Sequence, residues 1–330
     1  MLNFSAFKKT DLKPGFLFVG VLVVVSIIQS FVYSSVDTTE CSMENFAKDA
    51  AAAWESRQLM PHTACYNRHF KDEANGESAR LYQREFESLI AANHPRVGYK
   101  IGIHEPKEQK MFGLDGPVFG VFYGEDSWHP SGTILDVKGQ NLWFEPDFLL
   151  RVGDERINDA KTIEEAAQYI DRVYAFIELP MRTVDSDEIH GAFLPNFYMM
   201  QALNLSARYG IIGDYIDTAS DPDIVENLRR MTVVTTDHRG VSAPVRYVED
   251  DETHVYITAI LAADFLRARG EKLMPGDLIS VGALAVFGGG PDWDDPGIDT
   301  EMRHVHYYIG DKRLSVSVGF DDSVRGTQHE

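Results

Sequence analysis

The stretch Leu142-Trp-Phe-Glu-Pro-Asp-Phe-Leu-Leu-Arg-Val152 places two carboxylates inside a segment that is otherwise almost entirely apolar. Trp143, Phe144, Phe148, Leu149 and Leu150 alternate to opposite faces of an extended chain, which predicts a strand buried on both sides. The same period sends Glu145 and Asp147 to one face. Two like charges that close, away from water, require a proton or a cation between them. A hard divalent ion answers this; solvated acids on a rim strand are the alternative. Pro146 has no N–H to give a neighbour, so the strand is expected at a sheet edge or at a bulge.

Glu178 repeats the anomaly. It sits in Arg172-Val-Tyr-Ala-Phe-Ile-Glu-Leu-Pro-Met181, where Val173 to Ile177 leave no polar face. Thr162 with Glu165 three residues on is a capping box and predicts a helix over 163–173, making strand, crossover and strand. Three oxygen donors plus water suit Mg2+ or Mn2+ rather than Zn2+. Lys100, in Val97-Gly-Tyr-Lys-Ile-Gly-Ile103, projects from a strand whose glycines leave room for close approach. A buried lysine there moves protons or steadies an oxyanion, and a snorkelling surface lysine is the alternative.

Further out, short apolar runs broken by Gly, Pro and Asp continue over 116–123, 207–213, 230–236, 277–287, 304–310 and 313–320, predicting a β-rich core. Helices are expected over 43–59, 77–92 and 254–269, the last with Ile257, Ile260, Leu261, Phe265 and Leu266 inward and ending at Gly270. The boundaries read as a cytoplasmic N-terminus over 1–14, a hydrophobic segment over 15–33, a connector and helical cap over 34–96, one β-roll domain over 97–320 and a polar tail over 321–330. The loop 288–301 holds five acids but lacks EF-hand spacing, so it reads as solvated or as a lid. His304 and His306 alternate on a strand without a third ligand, and His104 is a candidate site wall.

The 330 residues carry 31 Lys and Arg against 51 Asp and Glu, a net charge of −20 that repels phosphate backbones and excludes nucleic acid as a partner. Gly15 to Tyr33 holds no charge, with Lys8, Lys9 and Lys13 before it, which reads as a single span with the bulk of the chain outside the cytoplasm, periplasmic in a Gram-negative cell. A cleaved signal peptide and a buried core helix are the competing readings. Cys41 and Cys65 either pair as a clip or remain two thiols.

These segments carry a resemblance. GYKIGI, FGLDGPVFGVFY, FEPDFLLRVGDE, AFIELP and GDLISVGALAVF, in order over about residues 80–290, resemble the 2-keto-4-pentenoate hydratase and 4-oxalocrotonate decarboxylase branch of the fumarylacetoacetate hydrolase-like superfamily. The resemblance implies an α+β fold, a mixed β-roll of the fumarylacetoacetase C-terminal type, to which the N-terminal helices and the single N-terminal transmembrane helix read from the hydrophobic pattern would be added. It implies metal ligands at Glu145, Asp147 and Glu178, catalytic roles for Lys100 and, as a stand-in proton donor, Glu125, and Mg2+ or Mn2+ as cofactor. The implied activity is a hydratase or decarboxylase lyase acting on a small 2-keto acid through an enolate, with acylpyruvate C–C hydrolysis second. A non-catalytic subunit of a membrane complex is the reading from another class, and a homo-oligomer the implied assembly. Departures are Asp147, one methylene shorter than the family's Glu, Pro146 for a small residue, and Leu203 before Asn204 where the family has Asp.

Overall fold

The computed structural model describes residues 41–137, 140–185, 188, 196–237, 253–284 and 300–321. From Ser42 onward the chain is one compact unit. It opens with three helices, α1 (Phe46–Ser56), α2 (Thr63–Asp72) and α3 (Gly76–Ala91). Asn75 starts α3 as a capping box: its Oδ1 accepts from Glu77 N and Ser78 N, both at 3.0 Å, and Ser78 Oγ accepts from Asn75 N at 3.0 Å. Such a cap contributes about 1 kcal/mol. Phe46, Tyr66 and Phe70 form an edge-on and tilted ring cluster among the helices. Trp54 Nε1 donates to Ala207 O at 3.4 Å and Gln83 Nε2 to Phe119 O at 2.7 Å, fastening this layer to the strands.

The remaining elements are β1 (Arg96–Gly102), α4 (Pro106–Phe112), β2 (Val118–Tyr123), β3 (Trp128–Pro130), β4 (Thr133–Asp136), β5 (Glu145–Val152), α5 (Ile163–Ala167), β6 (Ile170–Leu179), α6 (Phe197–Ala202), β7 (Tyr209–Asp217), α7 (Ile224–Arg229), β8 (Thr232–Asp237), α8 (Ile257–Ala268), β9 (Leu278–Ser280), β10 (Thr300–Ile309) and β11 (Lys312–Asp321). A mixed seven-stranded sheet runs β2-β1-β9-β5-β6-β7-β3, and a four-stranded sheet runs β4-β11-β10-β8. The sheets pack through buried aromatics, with the Phe148 and Tyr307 rings 4.6 Å apart.

Several expectations change. The Thr162 cap forms, its Oγ accepting from Glu165 N at 3.2 Å, but α5 has only 5 residues. That is too short to carry a crossover, so β5 and β6 pair antiparallel rather than as strand, crossover and strand. Pro146 lies in an interior strand, not at an edge. It is tolerated because β9 pairs β5 only at Leu149, Leu150 and Arg151, and the proline sits beyond that ladder. On α8, Ile260 and Leu266 are buried, while Ile257, Leu261 and Phe265 are half-buried, Phe265 stacking on the buried Phe119 ring at 3.7 Å. The helix α2 had no counterpart in the sequence reading.

The membrane assignment is corrected. The expected span over 15–33 lies outside the described residues, and no helix among the described residues is long and apolar enough to cross a membrane. The longest, α3, has 16 residues, about 24 Å of rise, and carries Glu and Arg throughout. The transmembrane helix, the membrane as partner and the extracytoplasmic, periplasmic placement are therefore withdrawn. Both cysteines are disulfide-bonded. The acidic loop to residue 299 and the tail from residue 322 lie outside the described residues.

Candidate active site

Register brings the unusual acids together. Glu145 on β5 stands directly opposite Glu178 on β6, so their side chains share a face, and Asp147 follows on that face two residues later. On the other side of β5, Ser280 pairs with Leu149, and Lys100 pairs with Ser280 across β9 and β1. Lys100, Glu145, Asp147 and Glu178 are 4%, 6%, 0% and 0% exposed, so neither the snorkelling lysine nor the solvated-rim reading holds. The cluster lies on the face of the large sheet away from Phe148 and Tyr307.

Lys100 Nζ lies 2.7 Å from Glu178 Oε1 and 3.6 Å from Glu145 Oε2. The Glu178 Oε1 contact is a charge-assisted hydrogen bond, and the oxygen, with two lone pairs and no other partner among the described residues, keeps accepting capacity to spare. The Asp147 carboxylate accepts from Phe148 N at 2.5 Å, from Gly282 N at 3.2 Å and, closely, from Ser280 Oγ. Ser280 Oγ also lies 3.3 Å from Glu178 Oε2. One hydroxyl carries one proton, so it serves a single carboxylate at a time.

Three carboxyls against one ammonium leave two negative charges in excess if all are ionised. Burial, reinforced by Glu178, pushes the Asp147 carboxyl far above its usual range. Burial pushes Glu178 up to about 8 against the pull of Lys100, with Glu145 adding to the rise. Burial disfavours the Lys100 ammonium, but Glu145 and Glu178 outweigh it and hold the lysine charged. The site therefore takes up protons or a cation.

A tight arch covers the lysine. Asn204, Leu205 and Ser206 have φ of 58°, 52° and 56°, three consecutive non-glycine residues in the left-handed region. Such residues cost on the order of 1–3 kcal/mol each and persist only where surroundings over-determine them. Asn204 supplies that constraint: its Oδ1 accepts from Val121 N and its Nδ2 donates to Val121 O, both at 2.7 Å, as a strand partner would for β2. Leu205 O then accepts from Lys100 Nζ at 3.4 Å. A Cβ at Gly120 would come within 2.8 Å of Asn204 O, so only glycine lets the arch descend this far.

Of the residues expected here, Lys100, Glu145, Asp147 and Glu178 converge on one face. Glu125 does not: it is exposed in the short turn Glu125–Ser127. His306 Nδ1 is 3.0 Å from Ser315 Oγ and its ring stacks with His304. Among the described residues no group of three or more His, Cys, Asp or Glu side chains is arranged to hold a metal ion as it stands. Ser280 and Tyr307 escaped the sequence reading, and Asn204 entered it only as the residue after the departure at Leu203. A lone polar residue in the apolar run Leu278 to Leu284 was the available signal for Ser280.

No protein-family model matches the sequence, and no curated protein matches it. Solved structures do. The 4-oxalocrotonate decarboxylase from Pseudomonas putida G7, complexed with magnesium and adipate, superposes with a TM-score of 0.64 at 18% identity, covering 85% of this chain and 98% of that one. The same decarboxylase complexed with calcium and acetate matches with the same values. This chain has the 4-oxalocrotonate decarboxylase fold. The resemblance read from these segments thus extends to the three-dimensional fold.

Proposed function

We propose that the chain is a divalent-metal-dependent lyase acting on a small 2-keto acid, with release of carbon dioxide as the reaction its residues support best. The observation that carries the reading is three buried carboxyls facing a single ammonium on one sheet face, within a fold shared with a decarboxylase solved with magnesium and with calcium. The residues fit a hard cation in chemistry: all donors are carboxylate oxygens, and Glu178 Oε1 has accepting capacity to spare. Glu145, Asp147 and Glu178 would hold Mg2+ or Mn2+, with the Lys100 ammonium drawing back from Glu178 to make room. When bound, the ion supplies Lewis acidity to the carboxylate and keto oxygens of the substrate.

The chain's own groups do the rest. Lys100, kept charged by its acidic neighbours, offers an N–H donor that favours negative charge developing on the keto oxygen. The Leu205 carbonyl orients that ammonium, and the arch above it shields the face from water. Release of carbon dioxide from a second carboxylate of the substrate, placed β or through a double bond to the keto group, breaks one C–C bond, leaves the electron pair on the keto oxygen as an enolate, and ends with one proton returned to carbon. With Glu178 deprotonated as a ligand of the ion, the Lys100 ammonium is the group on this face able to give that proton, regaining one from solvent afterwards. Hydration needs a further acid or base, and Glu125, exposed in its turn, is not available for it.

The test is calorimetry of the protein with MgCl2 and MnCl2, followed by ultraviolet monitoring of a panel of 2-keto acids. Metal binding and metal-dependent substrate loss, both abolished in Glu145→Ala, are expected. Absence of metal binding and of turnover in the wild type would overturn the proposal in favour of a non-catalytic subunit.

A further inference from the structure

Asp147 is held by its main chain as well as by its carboxylate, and the second hold comes from the other sheet. Inward-facing residues of β10 alternate as Val305, Tyr307 and Ile309, all buried, and the Tyr307 ring packs on Phe148. From there its hydroxyl reaches the back of β5. It accepts from Asp147 N at 3.0 Å and donates to one of two carbonyls, Asp147 O and Phe176 O, each at 2.7 Å. Asp147 and Phe176 are directly opposite residues of the β5/β6 pair, so one phenol touches both strands at the rung that bears the acid.

This matters because Asp147 is a short acid. Its carboxylate cannot search for a cation as a glutamate could, so its aim is set where its Cα sits. Phe148 faces the small sheet and Asp147 the opposite side, so a group on the small sheet can fix that Cα without entering the site.

We infer that Tyr307 is a positioning residue for the candidate metal site: from behind the sheet it fixes the Asp147 backbone and so aims the carboxylate. The inference rests on the proposed divalent site and names a residue of the second sheet as part of its support. Groups that orient a ligand without touching the ion commonly contribute about 10- to 100-fold in metal affinity.

The test is titration calorimetry of the full chain with MgCl2 and with MnCl2, comparing wild type, Tyr307→Phe and Tyr308→Phe. Phenylalanine keeps the ring against Phe148 and removes only the hydroxyl. Tyr308 is the exposed neighbour on the same strand and serves as control. The expected result is an affinity loss of about tenfold or more in Tyr307→Phe, with Tyr308→Phe unchanged. Unchanged affinity in Tyr307→Phe, even with a lowered melting temperature, would overturn the positioning role and leave the metal site standing. No binding by the wild type would overturn both. If Tyr307→Phe does not fold, amide hydrogen exchange in the wild type decides: the Asp147 N–H should be among the slowest to exchange, and rapid exchange there would overturn the inference.

Discussion

Two charge clusters among the described residues, one reaching the surface and one wholly buried, are built on opposite principles. Where α3 meets the end of α8, Glu87 pairs with Arg269 and Glu271 with Arg96, two carboxylates against two guanidiniums, so the charges cancel. Burial raises Glu87, and Arg269 pulls it back. On the sheet face, three carboxyls meet one ammonium and nothing among the described residues cancels the remainder. The first cluster is complete as it stands and fastens two helices. The second is incomplete, and incompleteness in a dry site is a binding capacity.

That contrast is easily attacked. The largest effect is expected for Glu178→Ala, which should remove metal binding and reduce turnover by about 10³ or more, because the affected group acts where charge develops. Steady-state rates on the 2-keto acid found in the panel would check it. Next, Arg269→Ala should cost about 3–5 kcal/mol of unfolding free energy, since Glu87 is left buried and unpaired. Chemical denaturation would measure this, and magnesium affinity in the same variant should not move. If affinity fell with stability, the two clusters would not be independent.

The pH dependence sharpens the contrast further. With its carboxyl pushed up to about 8, Glu178 keeps its proton in the folded chain at pH values where the unfolded chain has lost it. The group therefore takes up a proton on folding, and its contribution to stability falls as pH rises from the ordinary carboxylate range through about 8. A cation must displace this proton and that of Asp147, so magnesium affinity should rise with pH by up to tenfold per pH unit for each proton displaced, about 1.4 kcal/mol each. Melting curves with and without MgCl2 at pH 6 and 8.5 should separate more at the higher value. Smaller again, Asn204→Ala should cost about 1–3 kcal/mol, because Val121 loses both partners while the left-handed arch stays strained. The smallest is Glu125→Gln: at an exposed turn it should change stability by less than about 0.5 kcal/mol and leave turnover as it was.

Much of this was legible in the chain because charge inside an apolar run is a conspicuous pattern. Lys100, Glu145, Asp147 and Glu178 were each found by asking why a buried strand carries an ion, and strand periodicity alone sent Glu145 and Asp147 to one side. What could not be read were features set by tertiary packing. A proline in β5 argued for an edge, but the short reach of β9 permits it indoors. The Thr162 cap promised a long helix, yet it governs only the start of α5. The arch at Asn204 has no sequence signature, because its three residues are not glycines and their conformation is imposed by Val121 and Gly120. Tyr307 is one tyrosine among 14, and only the packing of two sheets gives its hydroxyl a destination.

The antiparallel pairing of β5 with β6 has a consequence for how such a protein can change. Glu145 opens β5 and Glu178 lies next to the end of β6, so both acids sit at the mouth of a hairpin whose far end is the connection through α5. That connection is itself packed, with Ile157, Ala160, Ile163 and Ala166 buried, so only its exposed positions, Arg156, Glu164 and Gln168 among them, are open to change while the rungs at the mouth keep their spacing. Evolution and the protein engineer are thus offered the same handle: a few surface positions able to carry partners or reporters, separated by the whole length of the hairpin from the chemistry.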